Sequence, residues 1–197
     1  EELRHSIGLR MWRKEGDWQY DNETIVHFGS FGSRDIFAWT VSFNLKKEIN
    51  AYHHFGLKTE VISGSTSDSA LGTFNPLYPR GAYFGRVARF GPANLIDLHP
   101  YWNFRFGKFM LEVDYDVFWR FSVYDAVYGP PMNIVLEGES AERFIAQQVG
   151  SIFNYEHSPH AMIEVETNLI FPGDYIQEVR PGAKTLFHGV VTLELRF

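Results

Sequence analysis

Carboxylate side chains recur at every second residue in two stretches of the chain. Glu112, Asp114 and Asp116 form one set, and Glu164 and Glu166 form the other. Side chains two residues apart on a strand share a face and lie about 6.5 to 7 Å apart, a spacing compatible with acid and base catalysis at a glycosidic bond. Any solvated strand face also produces this spacing, and the sequence indicates no partner that would raise a carboxyl pKa, so catalysis is not favoured.

Other residue types with catalytic or metal-binding chemistry are sparse. The chain has no cysteine, which excludes disulfides, thiolate metal sites and thiol nucleophiles. The pairs His53-His54 and His157-x-x-His160 have spacings that could bind a metal, but both fall in predicted turns, where solvated histidines are expected. The sequence contains no nucleophile elbow, phosphate-binding loop, dinucleotide fingerprint or His-Glu-x-x-His motif. We therefore expect no enzyme activity, no cofactor and no metal.

Composition limits the class of protein further. Aromatic residues make up 17% of the chain and charged residues 21%, the latter below the roughly 25% that is usual for soluble domains. The net charge of −6 argues against nucleic acid as a partner. No apolar run approaches the ~18 residues of a membrane helix. Residues 1–20 lack the regions of a signal peptide, so we expect that the gene starts elsewhere or that the start has been processed.

Alternation with a period of two residues is the dominant pattern, whereas the single helical candidate, 139–149, is short and runs into an alternating segment. In residues 109–121 the odd positions are apolar and the even positions are mostly charged, which predicts a strand with one apolar and one polar face. The same pattern predicts nine strands, at about 2–12, 18–28, 35–45, 54–62, 96–106, 109–122, 144–156, 161–171 and 185–197.

The connections between these predicted strands alternate in length. The short ones are 13–17, 46–53, 107–108 and 157–160, and the generally longer ones are 29–34, 63–95, 123–143 and 172–184. Transmembrane barrels have short periplasmic turns and longer extracellular loops, which produces this alternation. The predicted fold is therefore all-β, an antiparallel up-and-down transmembrane β-barrel segment covering 1–197, with long external loops near 63–95, 123–143 and 172–184.

The last predicted strand ends on Phe197, on its apolar face. Outer-membrane barrels commonly end in an aromatic residue that their assembly machinery reads, so we expect that machinery, outer-membrane lipid and lipopolysaccharide as partners and the bacterial outer membrane as location. With the C-terminus in the periplasm, all the long connections lie outside. Nine strands is an odd number, whereas bacterial single-chain barrels have an even number. We therefore expect the remaining strands to come from an N-terminal half.

Residues 72–81 read Gly-Thr-Phe-Asn-Pro-Leu-Tyr-Pro-Arg-Gly, and residues 91–100 read Gly-Pro-Ala-Asn-Leu-Ile-Asp-Leu-His-Pro. With shorter matches at 118–120, 127–130 and 171–173, these segments resemble the alginate export family of outer-membrane barrels. The resemblance spans nearly the whole chain. It implies an eighteen-stranded barrel that conducts an anionic polysaccharide or other small solutes, of which this chain would be the C-terminal nine strands.

Alternation also assigns charged side chains to the lumen. The candidate solute contacts are Arg4, Arg10, Lys58, Arg105, Glu112, Asp114, Asp116 and Arg120. Acids outnumber bases on this face, whereas a conduit for a polyuronate should present Arg and Lys to the carboxylates of its cargo. The structural alternative is that these charges pair across strands.

The long loop carries a second basic set, Arg80, Arg86 and Arg89. These arginines could attract an anion or fold inward as a constriction, or bind lipopolysaccharide phosphates or water. We expect the loop 63–95 to be ordered and to fold partly into the lumen, with these arginines near Glu112, Asp114 and Asp116. The reason is that its large apolar residues are too many to leave in water: Phe74, Leu77, Tyr78, Tyr83, Phe84 and Phe90.

The favoured function is an outer-membrane channel that passes a polysaccharide or small solutes through a polar lumen. A soluble β-sandwich or lipocalin-like binder, in which the apolar faces meet each other, is the alternative. A membrane-embedded enzyme with an active carboxylate cluster ranks last, because the sequence offers no nucleophile arrangement for it.

Overall fold

The computed structural model describes residues 1–66, 70–77 and 84–196. Nine long strands and several short elements make up the described chain. The long strands are β1 (Glu2–Glu15), β2 (Trp18–Phe31), β3 (Arg34–Glu48), β4 (His53–Ile62), β6 (Leu95–Phe106), β7 (Phe109–Arg120), β10 (Phe144–Ser158), β11 (Ala161–Pro172) and β12 (Leu186–Leu195). The short elements are β5 (Ala70–Leu71), β8 (Val127–Tyr128), β9 (Ile134–Leu136) and α1 (Asp174–Val179). The nine predicted strands are confirmed, with ends that differ by at most three residues.

The long strands form one antiparallel meander in which each strand pairs with its neighbours along the chain, in the order β1-β2-β3-β4-β6-β7-β10-β11-β12. The short strand β5 adds to β3 in parallel, and β8 pairs with β9 as a separate hairpin. Within the described residues, β1 and β12 each pair on one side only, so the sheet is open at both edges. The all-β antiparallel class is confirmed, whereas the closed transmembrane barrel and its total strand number stay predictions.

Tight hairpins join the strands at one end of the sheet. Glu15 pairs with Trp18 across a two-residue turn, and Gly16 has a φ of 57°, the left-handed conformation that such hairpins require. At the opposite end the connections after β4, β7 and β11 are long, as predicted. The prediction of a longer connection at 29–34 is wrong, because β2 ends at Phe31 and β3 begins at Arg34, which leaves a two-residue turn at this end as well.

The two faces of the sheet have inverted burial. On β7, Phe109 and Val113 are exposed, whereas Asp116, Phe118 and Arg120 are fully buried. Each of the nine long strands carries exposed large apolar side chains, and no second sheet covers them among the described residues. A soluble domain buries its apolar face instead. We refer to the two sides as the apolar face and the polar face.

The connection between β4 and β6 packs on the polar face. Phe74, Phe84 and Phe90 are each at most 6% exposed, and the rings of Phe84 and Phe90 lie 4.9 and 4.8 Å from that of Phe118. The described residues of this loop are therefore ordered against the sheet, whereas its folding into a lumen stays a prediction. The prediction that Leu77 is buried is wrong, since it is 63% exposed. Tyr78, Arg80 and Tyr83 lie outside the described residues.

The connection between β11 and β12 contains α1, which the sequence pattern did not predict. The helix is six residues long and buries Tyr175, and the backbone N–H of Gly173 donates to the carbonyl of Ile145 over 2.7 Å. In the described part of the chain, no helix has the length and apolar character needed to cross a membrane.

Replacing Phe118 with Ala tests whether the loop depends on this aromatic contact. Removing a fully buried Phe leaves a cavity between Phe84 and Phe90, so Phe118→Ala should lower the free energy of unfolding by about 3 to 5 kcal/mol. Tyr124→Ala is the matched control, because Tyr124 is 83% exposed. Guanidinium unfolding followed by tryptophan fluorescence measures both. Equal midpoints for the two variants would contradict the packing described here.

Candidate solute-contact site

A cleft of about 290 Å³ lies between the loop and the polar face. Its wall comes from five neighbouring strands, because alternation directs one polar side chain from each strand to the same side at each level of the sheet. The charged lining residues are Lys58, Arg86, Glu112, Asp114, Asp116, Glu164 and Glu166, together with His99. The cleft therefore contains three of the predicted acidic contacts, one predicted lysine and one predicted loop arginine.

A row of polar side chains crosses the sheet at the level of Asp116. The strand register places Lys58 opposite His99 and Asp116 opposite Gln148. One carboxylate oxygen of Asp116, Oδ1, lies 2.7 Å from His99 Nδ1, and the other accepts a hydrogen bond from Gln148 Nε2 over 2.9 Å. Gln148 Nε2 also lies 3.1 Å from the carbonyl oxygen of Phe84, to which it donates. This row fixes the buried carboxylate and ties the loop to the sheet.

Arg86 connects the loop to β11. Its guanidinium lies 2.5 Å from Glu164 Oε1 and 3.6 Å from Glu166 Oε2, and it also donates to the hydroxyl of Thr192. The backbone N–H of Arg86 donates to Glu166 Oε1 over 2.6 Å. Gly85 has a φ of 89°, and a Cβ there would lie only 2.9 Å from Glu166 Oε1, so a glycine permits this close approach.

The loop arginines were expected near Glu112, Asp114 and Asp116. Arg86 does line the same cleft as these residues, but its ion pairs are with the carboxylates of β11. Arg89 is exposed and lies beside a different cavity. Arg80 is outside the described residues.

The other predicted basic contacts are spread over the polar face. Arg4 pairs with Glu2, and Arg10 pairs with Asp21, the latter with a shortest N to O distance of 2.6 Å. Arg105 lines a smaller cleft of about 160 Å³ beside the β6–β7 turn. The Lys58 ammonium lies 4.7 Å from the centre of the Tyr101 ring, a cation–π distance. Of these four residues, only Lys58 lines the main cleft.

Arg120 has a different environment from the one expected of a solute contact. Its side chain is fully buried and lies 3.7 Å from the centre of the Tyr175 ring. Nη2 donates to the carbonyl oxygens of Ser140 and Glu142 over 2.9 and 2.5 Å, and Nη1 donates to that of Val123 over 3.0 Å. Arg120 therefore holds the connection between β7 and β10 and does not face the cleft.

Asp125 joins two long connections, and its role was not predicted. Oδ2 accepts from the backbone N–H of Ser65 over 2.7 Å and from the Thr73 hydroxyl over 2.6 Å. Oδ1 accepts from the Tyr128 hydroxyl over 2.8 Å. Burial first, and then this hydrogen bond to Asp125, raise the pKa of Tyr128 above its usual value. The Tyr128 hydroxyl therefore keeps its proton and remains a donor.

His99 and Gln148 were also missed as site residues. Both lie on the polar face of strands that were predicted correctly, so the alternation rule places them there. Alternation does not predict the register between neighbouring strands. That register brings His99, Asp116 and Gln148 to the same level of the sheet.

Removing the Arg86 ion pairs should open the cleft. Because the chain has no cysteine, a single Ile152→Cys substitution gives one thiol on the cleft wall, where Ile152 is opposite Glu112 and Glu166 in the strand register. We expect this thiol to react several-fold faster with a charged methanethiosulfonate reagent when Arg86→Gln is added, since the loop loses its link to Glu164 and Glu166. Ser158→Cys, at the end of β10, is the control and should not respond to Arg86→Gln. Unchanged labelling of Ile152→Cys would mean that Arg86 does not hold the loop.

Comparison with known proteins identifies the family. A family model described as alginate export matches residues 1–187, which covers every strand from β1 to β11 and the start of β12. No curated protein matches the chain. The match covers far more than half of the sequence, so the chain belongs to the alginate export family.

Proposed function

We propose that the protein is an outer-membrane conduit that passes a polysaccharide or small solutes along its polar face. The observation that carries this proposal is the inverted burial: all nine long strands expose large apolar side chains, while the opposite face holds the charges. A bilayer solvates such an apolar surface, and water in a lumen solvates the other. Membership of an export family also supports a role in moving solutes across a membrane.

The distribution of aromatic residues supports a membrane boundary near the tight hairpins. Tyr52 and Phe106 lie 6.3 Å apart, and Phe109 and Tyr155 lie 5.0 Å apart, by ring centre. Both pairs lie at the end of the sheet that carries the β1–β2, β3–β4, β6–β7 and β10–β11 connections. Amphipathic rings favour the level of the lipid headgroups, where barrels carry aromatic girdles. We infer that this end faces the periplasm and that the long connections are extracellular.

To close this sheet into a barrel, strands beyond those described are needed. A lipid-exposed sheet edge leaves backbone groups without partners, so β1 and β12 both need neighbours in a membrane. We propose that an N-terminal half supplies them, up to the eighteen strands that the family resemblance implies. Recognition of Phe197 by the assembly machinery and contact with lipopolysaccharide belong to the same proposal, and Phe197 itself lies outside the described residues.

The cleft gives the proposed lumen an acidic constriction. Its described lining holds five carboxylates against Lys58 and Arg86, and Arg86 is already paired with two of them. Negative potential raises the barrier for anions and lowers it for cations. We infer that this part of the wall favours cations and neutral sugars, and that a polyuronate would need basic residues from the rest of the barrel.

Single-channel recording tests the conduit directly. Insertion of the purified protein into a planar bilayer should produce discrete conductance steps, with cation over anion preference at low salt because screening is then weakest. Asp114→Asn should reduce that preference without removing the steps. Absence of any conductance from correctly folded protein would reject the conduit.

Arginine substitutions at adjacent positions of β7 test which face meets lipid. Val113 is on the apolar face and Glu112 is in the cleft. Val113→Arg should cost about 2 to 4 kcal/mol of stability in a bilayer if the position is near the midplane. Glu112→Arg is the matched control and should fold, because its side chain stays in water. Refolding into lipid vesicles at increasing urea measures both, and equal tolerance would contradict the membrane assignment.

A further inference from the structure

We propose that His99, Asp114 and Asp116 bind a divalent cation of the zinc class on the wall of the cleft. The ion would lie within the proposed constriction, and its binding does not depend on the conduction of solutes. It combines one imidazole with two carboxylates from two adjacent strands, β6 and β7. No other group of three or more such side chains is close enough to share an ion in the described part of the chain.

The spacing of the donor atoms suits one ion. One donor atom from each of the three side chains lies within 4.8 Å of the other two. Two ligands bound to zinc at about 2.1 Å and at a tetrahedral angle are roughly 3.4 Å apart. The separations therefore need only small side-chain rotations to enclose a cation.

Asp116 supplies an observation that is independent of this clustering. Its side chain is 1% exposed, and Oδ2 is occupied by the hydrogen bond from Gln148. Oδ1 accepts no hydrogen bond from any residue within 1–66, 70–77 and 84–196, although it lies 2.7 Å from His99 Nδ1. A buried carboxylate oxygen without a donor is costly. A cation held between Oδ1 and the imidazole would remove that cost.

Space for the second carboxylate comes from a glycine on the neighbouring strand. Gly150 is directly opposite Asp114 in the register of β7 and β10, and a Cβ at this position would overlap the Asp114 carboxylate. The carboxylate thus occupies room that every other residue type would fill. All three proposed ligands line the cleft of about 290 Å³, so an ion and its remaining water ligands have access.

The charge of the surroundings also favours a cation. The five carboxylates of the described lining face two permanent cations, Lys58 and Arg86. Arg86 is engaged by Glu164 and Glu166, and the Lys58 ammonium lies over the Tyr101 ring. Among the described residues, neither of these cations forms an ion pair with Asp114 or Asp116. A bound divalent ion would neutralise both carboxylates while leaving the imidazole uncharged.

The donor set selects the class of ion. Calcium and magnesium prefer oxygen ligands alone, whereas imidazole together with carboxylate suits zinc and neighbouring first-row metals. Gln148 would act as an outer partner, since it orients Asp116 and is itself anchored to the Phe84 carbonyl. Such outer hydrogen bonds hold ligands in position and strengthen binding.

Zinc titration of the metal-stripped protein in detergent tests the site, and it requires no conductance. Calorimetry should detect one equivalent of Zn²⁺, with affinity about tenfold or more weaker in His99→Gln and in Asp116→Asn. His157→Gln is the matched control, because His157 is an exposed histidine near the end of β10, and it should bind as the parent does.

X-ray absorption of the zinc-loaded parent protein is the second measurement, and it does not depend on whether a variant folds. We expect a single imidazole with oxygen ligands completing the shell. Failure of the parent to bind zinc would overturn the proposal, and so would unchanged affinity in folded His99→Gln or a shell with two or more imidazoles. A conducting protein that binds no zinc would reject this site and leave the conduit intact.

Discussion

Polar groups that the loop buries against this sheet are cut off from water, so most of them must find partners within the protein, and the architecture of the cleft follows from that constraint. The apolar face contributes little to internal cohesion because it is turned outward. Cohesion on the other side comes from the small apolar cluster around Phe118 and from hydrogen bonds between the loop and the strands. Asn94 links two connections in the same way: its amide donates to the carbonyls of Ser122 and Ala126, and its oxygen accepts from the Ser122 N–H. Networks of this kind are stabilising only when nearly every member is satisfied.

Two kinds of interaction hold the loop, and they respond differently to conditions. The contacts of Phe84 and Phe90 with Phe118 are dispersion and apolar burial, which salt weakens little. The side chain of Arg86 is 42% exposed, so its ion pairs with Glu164 and Glu166 are screened as ionic strength rises. High salt should therefore weaken the contacts of Arg86 with β11, while the packing of Phe84 and Phe90 on Phe118 stays unchanged.

The strands could be predicted because alternation is a local property, and residues 109–121 carry it almost without exception. Local pattern predicts which face a side chain takes, and Asp114 and Asp116 were placed correctly by it. It does not predict the level along the strand or the path of a loop. Arg120 is on the face of the strand that alternation predicts. It is the last residue of β7, however, and the connection between β7 and β10 covers it. Arg86 reaches β11 because of contacts distant in sequence, the Glu166 carboxylate and the Gln148 amide, which no periodicity encodes. The helix α1 is too short for a helical period to be visible.

The two-residue turn between β2 and β3 has a consequence for the shape of the proposed passage. The short turn contributes no cover, so over β2 and β3 any covering must come from the connection after β4. That connection reaches back as far as β2, where the Phe74 ring lies 4.6 Å from that of His27, and it leaves a cavity of about 460 Å³ over the polar face of β1 to β4. In the proposed passage, one loop would therefore border both the acidic cleft and this second, less charged recess.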